Sequence, residues 1–318
     1  SRVTRFRDLG MRELRGRKMT IKCFYHGSDL DGWASGAIVR YWYEKEGNQV
    51  EMFPINYGDR FPMDSLSLED FVFMVDFSLP INDMQQIAQR VNGKFIWIDH
   101  HASAIKSYDD GPIMLLGIRD VAFAACELTW EYFCDDETPR FIKLLGLYDR
   151  WEHNDPNEPW DDIEAFQYGF KAQATDPKED EEFEYCWREW FDSYQTPTFI
   201  TDTKSTGKYI QKYVEDRFKS NLAERSFVVD WEGYKCLVIN GDPYIANYLT
   251  RSEEFEGCDI GINFCNSKGE FWIVNLRTNS NDLDLSVLAK KYGGGGHRAA
   301  AGFPCKVLPF KEISTGAL

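Results

Sequence analysis

Between Thr20 and about Arg150, short apolar runs alternate with stretches whose apolar positions recur at helical spacing. Ile21–Tyr25, Val50–Ile55, Phe71–Val75, Phe95–Ile98 and Ile113–Leu116 each read as a buried strand. Gly32–Glu46, Ile81–Val91, Ala122–Phe133 and Arg140–Tyr148 read as the helices between and after them. Such alternation predicts a mostly parallel sheet covered on both faces, with ligands gathering at the carboxyl ends of its strands.

Residues 151–200 interrupt that rhythm with Pro156, Pro159, Pro177 and Pro197, an acidic run over Glu179–Glu184 and four of the ten tryptophans. They read as an acidic insert whose aromatic content argues against simple disorder. Ile210, Val214, Phe218 and Leu222 recur every fourth residue and predict a linker helix over 201–224. Beyond it, strands are expected at Phe227–Val229, Lys235–Ile239, Ile260–Phe264 and Phe271–Leu276, then a helix over Leu285–Lys291 that runs into four glycines. The expected architecture is α/β in two domains. A basic arm at 1–18 precedes a parallel-sheet domain at 19–150, the insert occupies 151–200, and a smaller α/β domain occupies 225–318.

Composition narrows the function classes. A mean hydropathy of -0.47 and the lack of any apolar run near 18 residues exclude a membrane-spanning helix, and no apolar segment follows the basic start to make a secretory signal. The 318 residues carry a net charge of -16, with fourteen acids against three bases in 151–200. A chain this acidic repels long nucleic acid outside a local basic groove. The basic arm, with Arg2, Arg5, Arg7, Arg12, Arg15, Arg17 and Lys18, is such a local feature, though arms of this kind are usually solvated. The eight cysteines form no CxxC pair, which leaves a zinc ribbon or thioredoxin-like motif unsupported and points to free thiols in a reducing cytoplasm.

The chemistry concentrates where strands end. His26-Gly-Ser-Asp29-Leu-Asp31-Gly32 follows the first strand, Asp76 ends the third, Asp99-His100-His101 ends the fourth, and Asp149 follows an apolar helix. In a parallel sheet these ends converge on one edge. Two divalent ions about 3.5–4 Å apart need imidazole and carboxylate ligands with a carboxylate bridging them, a donor set that suits Mn²⁺, Mg²⁺ or Zn²⁺. Each piece alone has a bland reading: a strand-end Asp is more often an N-cap, and a histidine pair is more often structural. Downstream, Gly293-Gly294-Gly295-Gly296-His297 offers consecutive backbone N–H groups to an anion, with a helix N-terminus expected after it; a hinge is the bland alternative.

Together these motifs, in order and separation, resemble those of the DHH phosphoesterase superfamily. The run from Gly293 to Phe303 resembles the glycine-rich signature of its associated C-terminal domain, and Arg277 resembles that domain's phosphate-binding arginine. The resemblance covers about residues 20–150 and 205–310. It implies that His26, Asp29 and Asp76 hold one ion and that Asp31, Asp76, His100 and Asp149 hold the other, Asp76 bridging. It further implies that Asp99 orients the site, that His101 faces the scissile phosphate, and that Arg277, Gly294, Gly295, Gly296 and His297 grip a terminal phosphate. Two divalent ions, manganese first among them, would serve hydrolysis in a cleft between the domains.

The expected activity is a phosphodiesterase acting on short oligonucleotides or linear dinucleotides and releasing mononucleotides. The glycine-rich signature points away from the pyrophosphatase and polyphosphatase branch of the superfamily. Alternatives are a cyclic-dinucleotide phosphodiesterase, a phosphatase for 3′-phosphoadenosine 5′-phosphate, a single-strand exonuclease and, from another class, a nucleotide-binding module without turnover. No membrane partner is expected, and homo-oligomer contacts stay open. Trp33 either lines the pocket or packs on its helix. Trp151, Trp160, Trp187 and Trp190 either stack bases or form the core of an accessory lid.

Overall fold

Along Phe71–Val75, successive side chains point to opposite faces of a sheet. Phe71, Phe73 and Val75 join one apolar cluster, while Val72 and Met74 join another. This strand is therefore central and buried on both sides. The computed structural model describes residues 20–110, 114–193, 197–241 and 246–310; the basic arm at 1–18 lies outside them. The chain forms two compact units that divide between Ile210 and Gln211.

The first unit holds a parallel sheet of order β2-β1-β3-β4, where β1 is Thr20–His26, β2 Gln49–Ile55, β3 Phe71–Val75 and β4 Phe95–Ile98. The chain steps from β1 outward to β2, then returns past β1 to β3. The β1/β3 pair is thus the point where strand order reverses, which in open α/β sheets is where ligands bind. Helix α1, Leu30–Lys45, packs between sheet and neighbouring helices, with Leu30, Ala34, Ala37, Ile38 and Val39 all buried. Helices α2 (Ile81–Arg90), α3 (Ala102–Asp109), α4 (Ala125–Phe133), α5 (Arg140–Asp149) and α6 (Trp160–Lys171) follow.

Two sequence expectations change here. The strand expected at Ile113–Leu116 is reduced, among described residues, to isolated parallel bridges from Leu116 to Ile96 and from Arg119 to Asp99. Gly117 explains the break. It takes φ +121°, and a β-carbon there would lie 1.9 Å from the Trp97 carbonyl oxygen. The Arg119 guanidinium also donates to the carbonyls of Trp97, Leu115 and Leu116, replacing part of a strand ladder.

Secondly, residues 151–200 do not stand apart from the strand-bearing core. Ile163, Phe166, Phe170, Phe183, Trp187 and Phe191 belong to the apolar cluster that covers one face of the sheet. They are carried by α6 and by a helical run in which α7 (Asp180–Phe183) passes through a π turn (Glu184–Arg188) into α8 (Glu189–Ser193). Polar ties to α1 complete the join. Arg40 donates to the Pro177 carbonyl at 2.8 Å and to Asp180 at 2.6 Å, and Arg188 meets Glu44 at 2.6 Å.

Helix α9, Pro197–Arg225, leads into the second unit. There β5 (Ser226–Trp231), β6 (Tyr234–Asn240), β7 (Ile260–Ser267), β8 (Phe271–Arg277), β9 (Gly295–Gly296) and β10 (Ala300–Cys305) form one sheet of order β5-β6-β7-β8-β10-β9. Only β6 and β7 pair in parallel. Helices α10 (Ala246–Leu249) and α11 (Leu285–Lys291) complete the unit. Val238, Ile262, Val274, Leu276, Leu285 and Phe303 form its core. No helix among the described residues is long and apolar enough to cross a membrane.

Candidate metal centre

The residues after β1, β3 and β4 come together at the carboxyl edge of the first sheet. His26 is the last residue of β1, and its Nδ1 lies 2.8 Å from Asp29 and 3.5 Å from Asp76. Asp29 is the N-cap of α1, accepting from the Gly32 amide at 2.9 Å through one oxygen while the other faces His26. The bland N-cap reading and the ligand reading of Asp29 are thus compatible. Gly32 could serve as a turn into the helix or as a point of close approach. It lies inside α1, and its role is close approach, since a β-carbon would fall 2.1 Å from the His26 carbonyl oxygen.

Asp31 is 2% exposed, and its two oxygens accept from the amides of Ala125 and Cys126 at 2.9 and 2.8 Å. The first turn of α4 is thus built onto Asp31, which is why the helix starts at Ala125 and not at Ala122. Asp76 follows β3 with φ +53°, a left-handed conformation that Asp tolerates better than most residues. Its amide bonds the Ile98 carbonyl at 3.0 Å, so the strained residue is held by the sheet itself.

His100 Nε2 lies 3.6 Å from Asp31, 3.4 Å from Asp76 and 3.3 Å from Asp149. Asp99 is fully buried. It accepts from the amides of His100 and His101 at 2.7 and 3.2 Å and meets His101 Nδ1 at 2.7 Å. Three groups of ligand-type atoms result, each within 4.8 Å: His26, Asp29 and Asp76; Asp31, His100 and Asp149; and Asp76, His100 and His101. The structure brings together all eight residues singled out in this half of the sequence.

Electrostatics and unmet bonding fit this donor set to cations. Burial, then the charge of Asp31, pushes the carboxyls of Asp76 and Asp149 well above the usual carboxylate range. Burial opposes protonation of His26, yet the carboxylates of Asp29 and Asp76 outweigh it and raise the imidazole to about 11. One buried oxygen each of Asp76 and Asp149 receives no hydrogen bond. Buried carboxylates in this condition are costly without a counter-charge, and divalent cations would supply it.

The second unit holds the remaining candidates, Arg277, Gly294, Gly295, Gly296 and His297. Arg277 ends β8 and pairs across to Ala300, and the amide of His297 donates to the Ala300 carbonyl at 2.8 Å, so the two residues flank one position of β10. The expected anion cradle changes character. A helix precedes the glycines, and a strand, not a helix, follows them. The amides of Gly293 and Gly294 donate to the carbonyls of Lys290 and Ala289, capping α11, while Gly295 and Gly296 pair with Gly302 and Ala301.

Sequence patterns gave no sign of Tyr57. It is 56% exposed, and its ring lies 5.8 Å from that of His26 and 6.2 Å from that of His101. It follows β2 alone, outside any motif. Of the tryptophans in 151–200, Trp187 and Trp190 are core. Trp151 and Trp160 instead form an aromatic group with half-buried Tyr148 and exposed His153.

No protein-family model matches the chain. It is 25% identical over 314 residues to an uncharacterised protein, R106, of Acanthamoeba polyphaga mimivirus, covering 91% of this chain and 69% of that one. Among solved structures, it aligns with exonuclease RecJ bound to manganese at a TM-score of 0.56 and 14% identity, over 96% of this chain and 90% of that one. It aligns with an exopolyphosphatase-related protein from Bacteroides fragilis at 0.55 and 12% identity, over 98% and 92%. The fold is that of these two structures: a parallel-sheet α/β unit followed by a second sheet-bearing unit.

Proposed function

We propose that this chain is a phosphodiesterase that uses two divalent metal ions to hydrolyse short oligonucleotides or linear dinucleotides to mononucleotides. The observation that carries the reading is the set of overlapping ligand groups that share Asp76 and His100. His26, Asp29 and Asp76 would hold one ion, and Asp31, Asp76, His100 and Asp149 would hold the other. Such ions supply Lewis acidity, lowering the pKa of a water and offsetting charge on the phosphoryl oxygens. Asp31 is fixed for this by the first amides of α4. Asp99 holds His101 by its Nδ1 and, against burial, raises its pKa, so that the protonated ring can donate its second N–H to the scissile phosphate.

Arg277 and His297 take the role of gripping a distal phosphate, a reading supported by their common placement beside Ala300. The net charge of -16 favours short substrates, because each phosphate added outside a basic groove is repelled. The solved RecJ with manganese supports Mn²⁺ as the first metal to test. Eight free cysteines fit a reducing, cytoplasmic setting.

The test is hydrolysis of a length panel from dinucleotides to about 24-mers, in chelator, Mg²⁺ and Mn²⁺, with Asp76→Ala as blank. Cyclic dinucleotides and 3′-phosphoadenosine 5′-phosphate complete the panel. Metal-dependent turnover that falls steeply with length is the expected result. Strong 24-mer activity would make the protein an exonuclease, and nucleotide binding without products would make it a binding module.

A further inference from the structure

We infer that Lys171 and Trp33 form an outer phosphate subsite beside the metal centre, taking a terminal phosphate of the substrate at the end opposite the one assigned to Arg277 and His297. This rests on the proposed reading of the centre and adds to it a residue from the acidic segment that the family resemblance does not cover. Trp33 directly follows Gly32, and its indole N–H donates to the Gly27 carbonyl at 3.0 Å. The ring is therefore pinned to the loop that carries His26 and Asp29.

Lys171 is the last residue of α6. Its ammonium sits 3.7 Å from the centre of the Trp33 ring, a cation–π contact across two helices. A lysine in a last helical turn ordinarily serves that helix's own carbonyls. This one makes neither a hydrogen bond to them nor an ion pair among the described residues; partial burial lowers its pKa below the usual lysine value, opposed by the charges of Asp29 and Asp176. The side chain is exposed. The contact with the ring thus fixes the ammonium at the rim of an otherwise acidic site, with its N–H donors open to solvent.

The chemistry that fits is a phosphate monoester. The scissile phosphate is served by the ions, whereas a terminal dianion needs its own cation, and lysine acts there as a point charge. The segment at 151–200 then has a second use besides core packing, since it delivers to the site a cation that the strand-end motifs lack.

The experiment is calorimetric binding of three linear dinucleotides to the full chain with Ca²⁺ present: 5′-phosphorylated, 3′-phosphorylated and unphosphorylated. Wild type, Lys171→Gln and Lys171→Arg are compared, and turnover is measured separately with Mn²⁺. A terminal phosphate should tighten wild-type binding about tenfold. Lys171→Gln should lose that advantage and Lys171→Arg keep most of it, and the end that confers the advantage identifies the polarity. An advantage that survives in Lys171→Gln, or is missing in wild type, overturns the subsite. Preference without turnover would sustain the subsite and sink the hydrolytic reading; turnover without preference would do the reverse.

Discussion

Gly32 lies so close to His26 that a β-carbon on it would sit 2.1 Å from the His26 carbonyl oxygen and 2.6 Å from the His26 β-carbon. Both neighbours belong to β1, so neither can swing aside as a flexible side chain would. The glycine thus sets how near the start of α1 comes to the end of β1, and with it the separation of Asp29 and Asp31 from His26.

Gly32→Ala should therefore cost about 3 kcal/mol or more in stability and lower metal affinity even where the protein still folds. Denaturant unfolding and metal titration by calorimetry check this. Unchanged affinity in a folded Gly32→Ala protein would show that the approach does not set the ligand geometry.

The metal-free centre predicts a stability that falls with rising pH. His26 is raised to about 11 from an ordinary value of about 6.5, and His100 and His101 are raised too, their carboxylate neighbours outweighing burial. A group whose pKa is higher folded than unfolded contributes stability in full below the unfolded value, and loses it as pH climbs through the folded one. In chelator, the melting temperature should decline from about pH 6.5 toward 11, and His26→Gln should flatten the slope. Bound metal needs the imidazole neutral, so the rise in melting temperature with Mn²⁺ should grow over the same window. A pH-independent melting curve in chelator would contradict this account.

Asp76 combines a positive φ with a buried carboxyl that burial and Asp31 push upward. Asn tolerates the same backbone region without the charge. Asp76→Asn should accordingly melt at or above the wild-type temperature in chelator, yet show no gain on adding Mn²⁺. Wild type should gain about 2.7 kcal/mol at a hundredfold excess of metal over Kd. Turnover should be lost in Asp76→Asn. Retained metal stabilisation would remove Asp76 from the bridge.

What the sequence disclosed follows from how locally each feature is encoded. Phe71–Val75, Phe95–Ile98 and Leu285–Lys291 have the bounds expected from their apolar runs, because a buried strand or amphipathic helix writes its own pattern. The strand Ala300–Cys305 was missed because Ala-Ala-Gly-Phe-Pro-Cys carries no β-branched residue; its place comes from pairing with β8. The helix after the glycines was expected from motif logic and is not there, since their amides are already used by α11 and β10. Tyr57 and Lys171 reach the centre only through tertiary packing, which no spacing along the chain records.

Arg277 and His297 give a separable prediction. If they grip a distal phosphate, His297→Ala should raise KM or flatten the length preference while leaving kcat and metal-induced stabilisation near wild type. The metal ligands lie in the first unit and His297 in the second, which is why the two responses should part. A fall in kcat at unchanged KM would instead assign His297 to the chemical step.

The acidic segment offers the sharpest test of the fold. Trp187 is fully buried, donates to the Thr175 carbonyl at 2.9 Å and packs against Phe170, Trp190 and Phe191, within the cluster that covers the parallel sheet. Trp187→Ala should cost about 3–5 kcal/mol and lower the denaturation midpoint of the whole first unit, metal-induced stabilisation included. Trp151→Ala, at a half-buried ring outside that cluster, should cost less. Were 151–200 an independent lid, Trp187→Ala would unfold the segment alone, exposing it to protease while the sheet and its metal response survived. Coincident loss of tryptophan packing and far-ultraviolet signal in urea decides between the two, and the shared core requires coincidence.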